Sequence, residues 1–337
     1  MKMKRYICIA LAALAACACA KAPKEGPNDD AKLYLESWIQ VHHPDAEQTP
    51  LGVYILEDEP GTGALVGSKD VSPYLRVEYI ATSLTGTVIS STYESLAKQL
   101  GNYDYGDYYG PATWDRELAA GLNEAVSSMS VGGSRTFVLP GWLQSSDSYS
   151  TAEQYLANVT GKSPVIYRLK VNEVITDINK WETDSIGRYV SRHFPGKGVA
   201  DSLSYGYYYF RTKTPSSESA FPNDTTIYIN YVGRLLNGTV FDTNVKDSAK
   251  FYGIYSAART YGPSAITFSV GDNNATTVKM GSSTLITGFS KILTGMHPHE
   301  NGTGIFYSKH GYGTTGSSTA IPGYSPLRFD IEIVDKP

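Results

Sequence analysis

Cysteine is nearly absent from this 337-residue chain: the 3 that occur, Cys8, Cys17 and Cys19, all precede residue 20. No disulfide can staple the segments beyond them, and no thiol is available there as nucleophile or metal ligand. A surplus of one charge is missing as well. Lys and Arg number 29 against 33 Asp and Glu, a net charge of −4, so nothing marks nucleic acid or an anionic membrane surface as a partner. No apolar run after the first 20 residues is long enough for a membrane-spanning helix. The 6 His fall at expected helix ends and in loops, and no Ser/His/Asp or Cys/His constellation forms. What is plentiful is Gly (32) and Tyr (26), which suits a β-rich protein with many turns and wet aromatic surfaces. The length allows two domains, each able to bury its own core.

The N-terminus reads as an address. Lys2, Lys4 and Arg5 precede a short apolar run over residues 6–16, the layout of an export signal. The run Leu14-Ala15-Ala16-Cys17 resembles a bacterial lipobox, which makes Cys17 the expected lipidation site, with Cys19 a weaker one and an ordinary signal peptide the plainer alternative. Residues 1–17 are thus the signal peptide, and residues 18–30, rich in Pro, Lys, Asp and Gly, a flexible tether. The expected localisation is the bacterial cell envelope, lipid-anchored.

One unit occurs twice. Leu35, Trp38, Ile39 and His42 have helical spacing and are followed by His43-Pro44. The same spacing returns 151 residues later as Ile186, Tyr189, Val190 and His193, ahead of Phe194-Pro195. Each proline ends its helix. GVYIL at 52–56 and GYYYF at 206–210 then read as strands, their glycines 154 residues apart, and Tyr79 and Tyr231 are 152 apart. This predicts helix, strand and a β-rich core, repeated once, with one unit over 31–176 and another over 177–337.

The second core opens with YVGRLLNGTVFD at 231–242. Ile227, Ile229 and Tyr231 alternate as a half-buried strand does, and Asn237-Gly238 predicts a two-residue hairpin turn. After ITFSVG at 266–271 and an expected loop over 272–284 come LITGFSKILTGM, GIFYSKHGYG and AIPGYSPLRFDIEIVD. In this order the segments resemble the FKBP-type peptidyl-prolyl cis-trans isomerases, with Phe289 where the family usually has Trp. The resemblance implies an α+β fold of two FKBP-like domains, each an antiparallel sheet wrapped on a short helix and preceded by an extra helix.

It also implies a site. Tyr231, Phe241, Phe289 and Phe329 would wall a slot for the prolyl ring, and Leu285, Ile286 and Ile321 would fill its sides. The Ile286 N–H and the Tyr312 hydroxyl would hold substrate carbonyls, and Asp242 would orient Tyr231. No cofactor or metal is implied; His297-Pro298-His299 reads as a solvated turn rather than a metal site. The first unit keeps Tyr79 but has Ile89-Ser90 for Phe-Asp, Leu122 for the Trp, Ser145 near the loop Tyr and Tyr167 for the closing Phe, and is expected to be non-catalytic. Two stretches read as insertions: a Tyr-rich loop at 102–109, solvated or else a binding surface, and residues 243–265, which border the slot. The implied partners are proline-containing segments of exported proteins and, through the lipid anchor, a membrane. The alternative is a non-enzymatic FKBP-like lipoprotein that binds protein or glycan.

Overall fold

A computed structural model describes residues 26–196, 202–222, 224–270 and 276–337; Cys17 and the expected export signal lie outside them. The first unit runs α1 (Asp29–His42), β1 (Glu47–Gln48), β2 (Tyr54–Glu59), β3 (Tyr74–Ser83), β4 (Val88–Ser91), α2 (Glu94–Leu100), β5 (Ala112–Asp115), α3 (Ala120–Ser127), β6 (Ser134–Leu139), α4 (Ala152–Asn158) and β7 (Val165–Ile175). The second runs α5 (Ile178–His193), β8 (Ser202–Ser204), β9 (Tyr207–Lys213), β10 (Thr226–Leu235), β11 (Val240–Thr243), α6 (Lys246–Phe251), β12 (Ser264–Val270), β13 (Thr276–Met280), β14 (Ser283–Thr284), α7 (Thr287–Gly295), β15 (Asn301–Phe306) and β16 (Leu327–Val334).

The two sheets share one antiparallel topology. Strand order is β2-β6-β7-β3 in the first and β9-β15-β16-β10 in the second, and β3 and β10 each pair with two further strands. Register makes the correspondence residue by residue. Ala81 faces Ser90 and Tyr167 as Gly233 faces Asp242 and Phe329. Leu122 and Phe289 are each the third residue of their helices α3 and α7.

Period-2 alternation places side chains on two faces of the second sheet. Tyr207 and Phe306 point to the core shared with α7, while Tyr208 and Ile305 pack with Ile186 and Val190 of α5. In α5 Glu182 is buried, and its carboxylate accepts from the Ser308 N–H and hydroxyl, both at 2.6 Å, which ties the leading helix to the turn after β15.

Several expectations change in detail. The Asn237-Gly238 turn is a three-residue loop, not two: Leu235 pairs with Thr239, and Gly238 takes a φ of +100° that suits glycine. The loop expected over 272–284 contains strands β13 and β14, with β13 paired to β12. At the N-terminal end Asn28 is buried, and its Nδ2 donates to the Leu156 and Val159 carbonyls at 2.8 and 2.6 Å. Residues 28–30 therefore belong to the first unit rather than to a tether.

Neither presumed insertion is peculiar to its unit. The segment between β4 and β5 has the same length as that between β11 and β12, and the 152-residue offset holds throughout. Tyr103 stacks on Tyr109 at 5.3 Å, and Tyr255 on Tyr261 at 5.3 Å. The Gly110 N–H donates to the Thr92 carbonyl and the Gly262 N–H to the Asn244 carbonyl, both at 2.8 Å. These are two copies of one loop.

Candidate active site

The aromatic cluster of the second unit is built on a strand pinned from both sides. Asn244 accepts from the Tyr231 N–H at 2.8 Å, Thr243 donates to the Tyr231 carbonyl at 2.6 Å, and Asn244 Nδ2 donates onward to the Ile229 and Gly262 carbonyls. Two buried polar residues thereby hold β11 and the following loop against β10 with their hydrogen-bonding capacity used.

Rings then gather over this frame. Phe289 of α7 stacks on Phe329 of β16 at 4.4 Å and 12°, with Phe306 behind at 5.8 Å. Tyr231 meets Phe289 at 5.7 Å, and Phe241 stands edge-on to Phe329 at 5.7 Å. Gly233 makes this approach possible, because a Cβ there would lie 2.7 Å from Phe241 and 2.9 Å from Phe329. Gly288 does the same for α7, where a Cβ would stand 2.4 Å from Phe306. Leu285, Ile286 and Ile321 join the same cluster. Tyr231, Phe289, Ile321 and Phe329 are buried, while Phe241, Leu285 and Ile286 keep a solvent-facing edge. Ile286 is the N-cap of α7, so its N–H has no partner within the helix.

One acid sits at the rim. Asp242 accepts from the Tyr231 hydroxyl at 2.6 Å and pairs with Arg259 at 2.5 Å, and Arg259 also donates to the Tyr231 hydroxyl at 3.3 Å. Burial, and then Asp242, push the Tyr231 phenol well above its usual range, so it stays protonated and can donate. Burial opposes the Arg259 charge, but Asp242 more than compensates and its pKa is raised. Tyr312 is 37% exposed, and partial burial, then the charge of Asp242, raises its pKa also. Tyr231, Phe241, Leu285, Ile286, Phe289, Ile321 and Phe329 thus share one cluster, with Asp242 bonded at its edge and Tyr312 outside it, within the field of that acid. Arg259 was not foreseen: it arrives from the loop before β12, in a stretch without a motif.

The first unit shows what the cluster becomes without its acid. Ser90 takes the register position of Asp242, and Ile89, in place of Phe241, is 58% exposed. Tyr79 instead packs against Trp114 at 5.2 Å and Tyr167 at 5.9 Å, and Tyr167 stacks on Phe137. Ser145 is half-buried, its hydroxyl donating to Asp147 at 2.7 Å.

The histidine pair lies elsewhere. His297 Nδ1–H donates at 3.0 Å to the buried carboxylate of Glu300, which also takes bonds from Tyr209 and Arg211. Burial resists ionisation of Glu300, but these donors outweigh it and hold its pKa below the usual carboxylate range. His299 bonds to Asp335 on the surface at 2.9 Å.

Residues 217–334 match the model of the FKBP-type peptidyl-prolyl cis-trans isomerase family. The human peptidyl-prolyl cis-trans isomerase FKBP9 is 22% identical over 262 residues, 78% of this chain and 34% of that protein. The chain thus spans about a third of that relative's length. Among solved structures, the three FKBP domains of wheat FKBP73 align with 84% of this chain and 94% of theirs at 15% identity and a TM-score of 0.28. FkpA from Escherichia coli aligns with 51% of this chain and 71% of its own at 18% identity and a TM-score of 0.30. The family match over residues 217–334 makes the second unit an FKBP-type peptidyl-prolyl cis-trans isomerase domain, and the first unit repeats its strand order.

Proposed function

We propose that the second unit rotates X–Pro bonds of exported proteins inside the aromatic slot, and that lipidated Cys17 holds the chain at the membrane of the cell envelope. The observation that carries the catalytic reading is the meeting of Tyr231, Phe241, Phe289 and Phe329 beside the Tyr231–Asp242–Arg259 triad. Rotation about an amide is slow because resonance raises a barrier of roughly 18–20 kcal/mol. No covalent step is needed to lower it. An apolar slot takes the prolyl ring, strips water from the amide and so disfavours its charge-separated planar form. Ring edges and the Ile286 N–H favour the twisted amide over either planar isomer. A thousandfold acceleration needs only about 4 kcal/mol of such differential stabilisation.

The reading is tested by NMR exchange spectroscopy on short peptides with an apolar residue before proline. The full chain should accelerate cis–trans exchange and lose that effect in Phe289→Ala. A folded chain that accelerates no peptide of such a panel refutes it. The alternative, a lipoprotein that binds protein or glycan without turnover, draws its support from the first unit, where Trp114 and Tyr79 pack together and Ser90 replaces the acid.

A further inference from the structure

The paired loops differ in a pattern. Both keep their frame: a lysine ammonium over the first tyrosine (Lys98 over Tyr103, Lys250 over Tyr255), the stacked tyrosine pair, and a backbone N–H donating to the second hydroxyl. Of the positions that differ between the two loops, three decide what each loop reaches. Ala257, Arg259 and Thr260 of the second unit are Tyr105, Asp107 and Tyr108 in the first. In the second unit Arg259 turns inward to Asp242. In the first, all three changed residues reach across to the other unit.

Tyr105 lies against Gly253, where a Cβ would come within 2.6 Å of its ring, at the start of the loop that delivers Arg259. Asp107 accepts from the Thr319 hydroxyl, the Tyr108 N–H donates to the Thr319 carbonyl at 3.0 Å, and the Tyr108 ring joins the second core. A second grip lies nearby. Tyr324 donates through its hydroxyl to Asp115 at 2.9 Å and packs edge-on to Tyr74 at 5.4 Å, among Ile175, Ile178 and Trp181. Both Thr319 and Tyr324 belong to the segment that carries Tyr312 and Ile321. The Tyr324 N–H donates to the Gly313 carbonyl at 2.9 Å, one residue from Tyr312, and the Ser317 N–H to the Ile321 carbonyl at 2.7 Å. Tyr324 and Ser318 have φ of +59° and +51°, a conformation that non-glycine residues hold only when their surroundings impose it.

We propose that the first unit has become a brace for the second: Asp107, Tyr108 and Asp115 clamp the segment 312–324 and so set where Tyr312 and Ile321 stand at the lip of the slot. They are positioning residues and touch no substrate. The left-handed Tyr324 is held in place by its ring contacts and its bond to Asp115, and its own N–H passes that constraint to Gly313. The unit that lost its acid thus contributes to turnover without a site of its own.

The test is a double-mutant cycle in the full chain across the unit boundary: Asp115→Ala, Tyr324→Phe and both together, with Asp115→Asn, which keeps an acceptor, as the conservative variant. Each single change should lower kcat/KM for peptide exchange about 3- to 10-fold, and the double no further than either, because one contact is being removed twice. Asp115→Asn should remain within about twofold of the parent. Amide hydrogen exchange at Tyr324 should quicken in step. The consequence for turnover rests on the isomerase reading, and exchange protection separates the two. A parent chain with no isomerase activity whose Tyr324 protection still falls in Asp115→Ala refutes the isomerase and leaves the brace. An active chain whose kcat/KM is unmoved in all four variants, or any chain whose protection is unmoved, overturns the brace.

Discussion

Asp242→Ala is the most informative single change. Two terms set its effect on stability. The ion pair with Arg259 joins side chains that are 34% and 41% exposed, so by itself it contributes at most about 1 kcal/mol. The Tyr231 hydroxyl loses a charged acceptor, a bond of about 1.5–3 kcal/mol. Water reaches a rim that is one-third exposed and replaces part of that bond, leaving a net loss of about 1–2 kcal/mol. A domain with a stability of about 5–15 kcal/mol stays folded under that loss. In the slot the same change frees Arg259 and lets the Tyr231 ring turn, and if the orientation of that ring is worth about 1–2 kcal/mol in the twisted state, turnover falls about 5- to 30-fold. Asp242→Asn keeps an acceptor for Tyr231 but drops the ion pair, and should fall between parent and alanine. Exchange NMR on a proline peptide reads the rate, and thermal unfolding reads the fold. A folded Asp242→Ala variant with the parent rate would mean that the triad is scaffolding, and that the rings alone do whatever the slot does.

Other outcomes follow from close contacts and buried charge. Gly288→Ala drives a methyl to within 2.4 Å of Phe306, itself behind Phe329, and should cost about 1–3 kcal/mol in a denaturant melt. The two buried glutamates of the second unit should respond to pH with opposite sign. Burial raises the pKa of Glu182 above its unfolded value, so the parent should gain stability relative to Glu182→Gln as pH falls from 7 toward about 4.3. Glu300 is depressed, so its contribution should be complete above about 4.3 and fade, against Glu300→Gln, as pH drops through its folded pKa. Denaturant midpoints across that range check both. Cys17→Ala should move the protein out of the membrane fraction, and unchanged fractionation would count against lipidation there.

Much of the aromatic cluster was legible because strands keep their period and their order even where side chains differ. Tyr231, Phe241, Phe289 and Phe329 sit on elements whose ends are marked by glycine, proline or alternating residues, and the distance from Tyr79 to Tyr231 carries the register of a whole sheet. Arg259 was not legible, since it depends on a loop curling back onto β11 and no local pattern announces such a turn. Trp114 of β5 lies in no motif, and only its contact with Tyr79 shows it beside the first unit's aromatic cluster. The same limit explains why residues 102–109 looked like solvated loop. Their partners, Gly253 and Thr319, lie far along the chain, and sequence periodicity reports a local face, not what a neighbouring unit brings to it. The shared length of the two loops was present in the numbering, but it becomes meaningful only once Gly110 and Gly262 are seen making the same bond.

The stacked tyrosines of the two loops separate form from content. Tyr103 with Tyr109, and Tyr255 with Tyr261, close each loop on itself with contacts that owe nothing to the residues between them. The side chains at 105, 107 and 108, and at 257, 259 and 260, take no part in that stacking, so they can differ between the copies while the closure stays. A duplicated domain holding such a loop can therefore drift in what it presents while its backbone stays put: an arginine that serves a carboxylate at home in one copy, an aspartate that serves a threonine next door in the other. The loop acts as a socket with interchangeable fittings, and that is a route by which a spare copy finds a new task before the old one has been wholly forgotten.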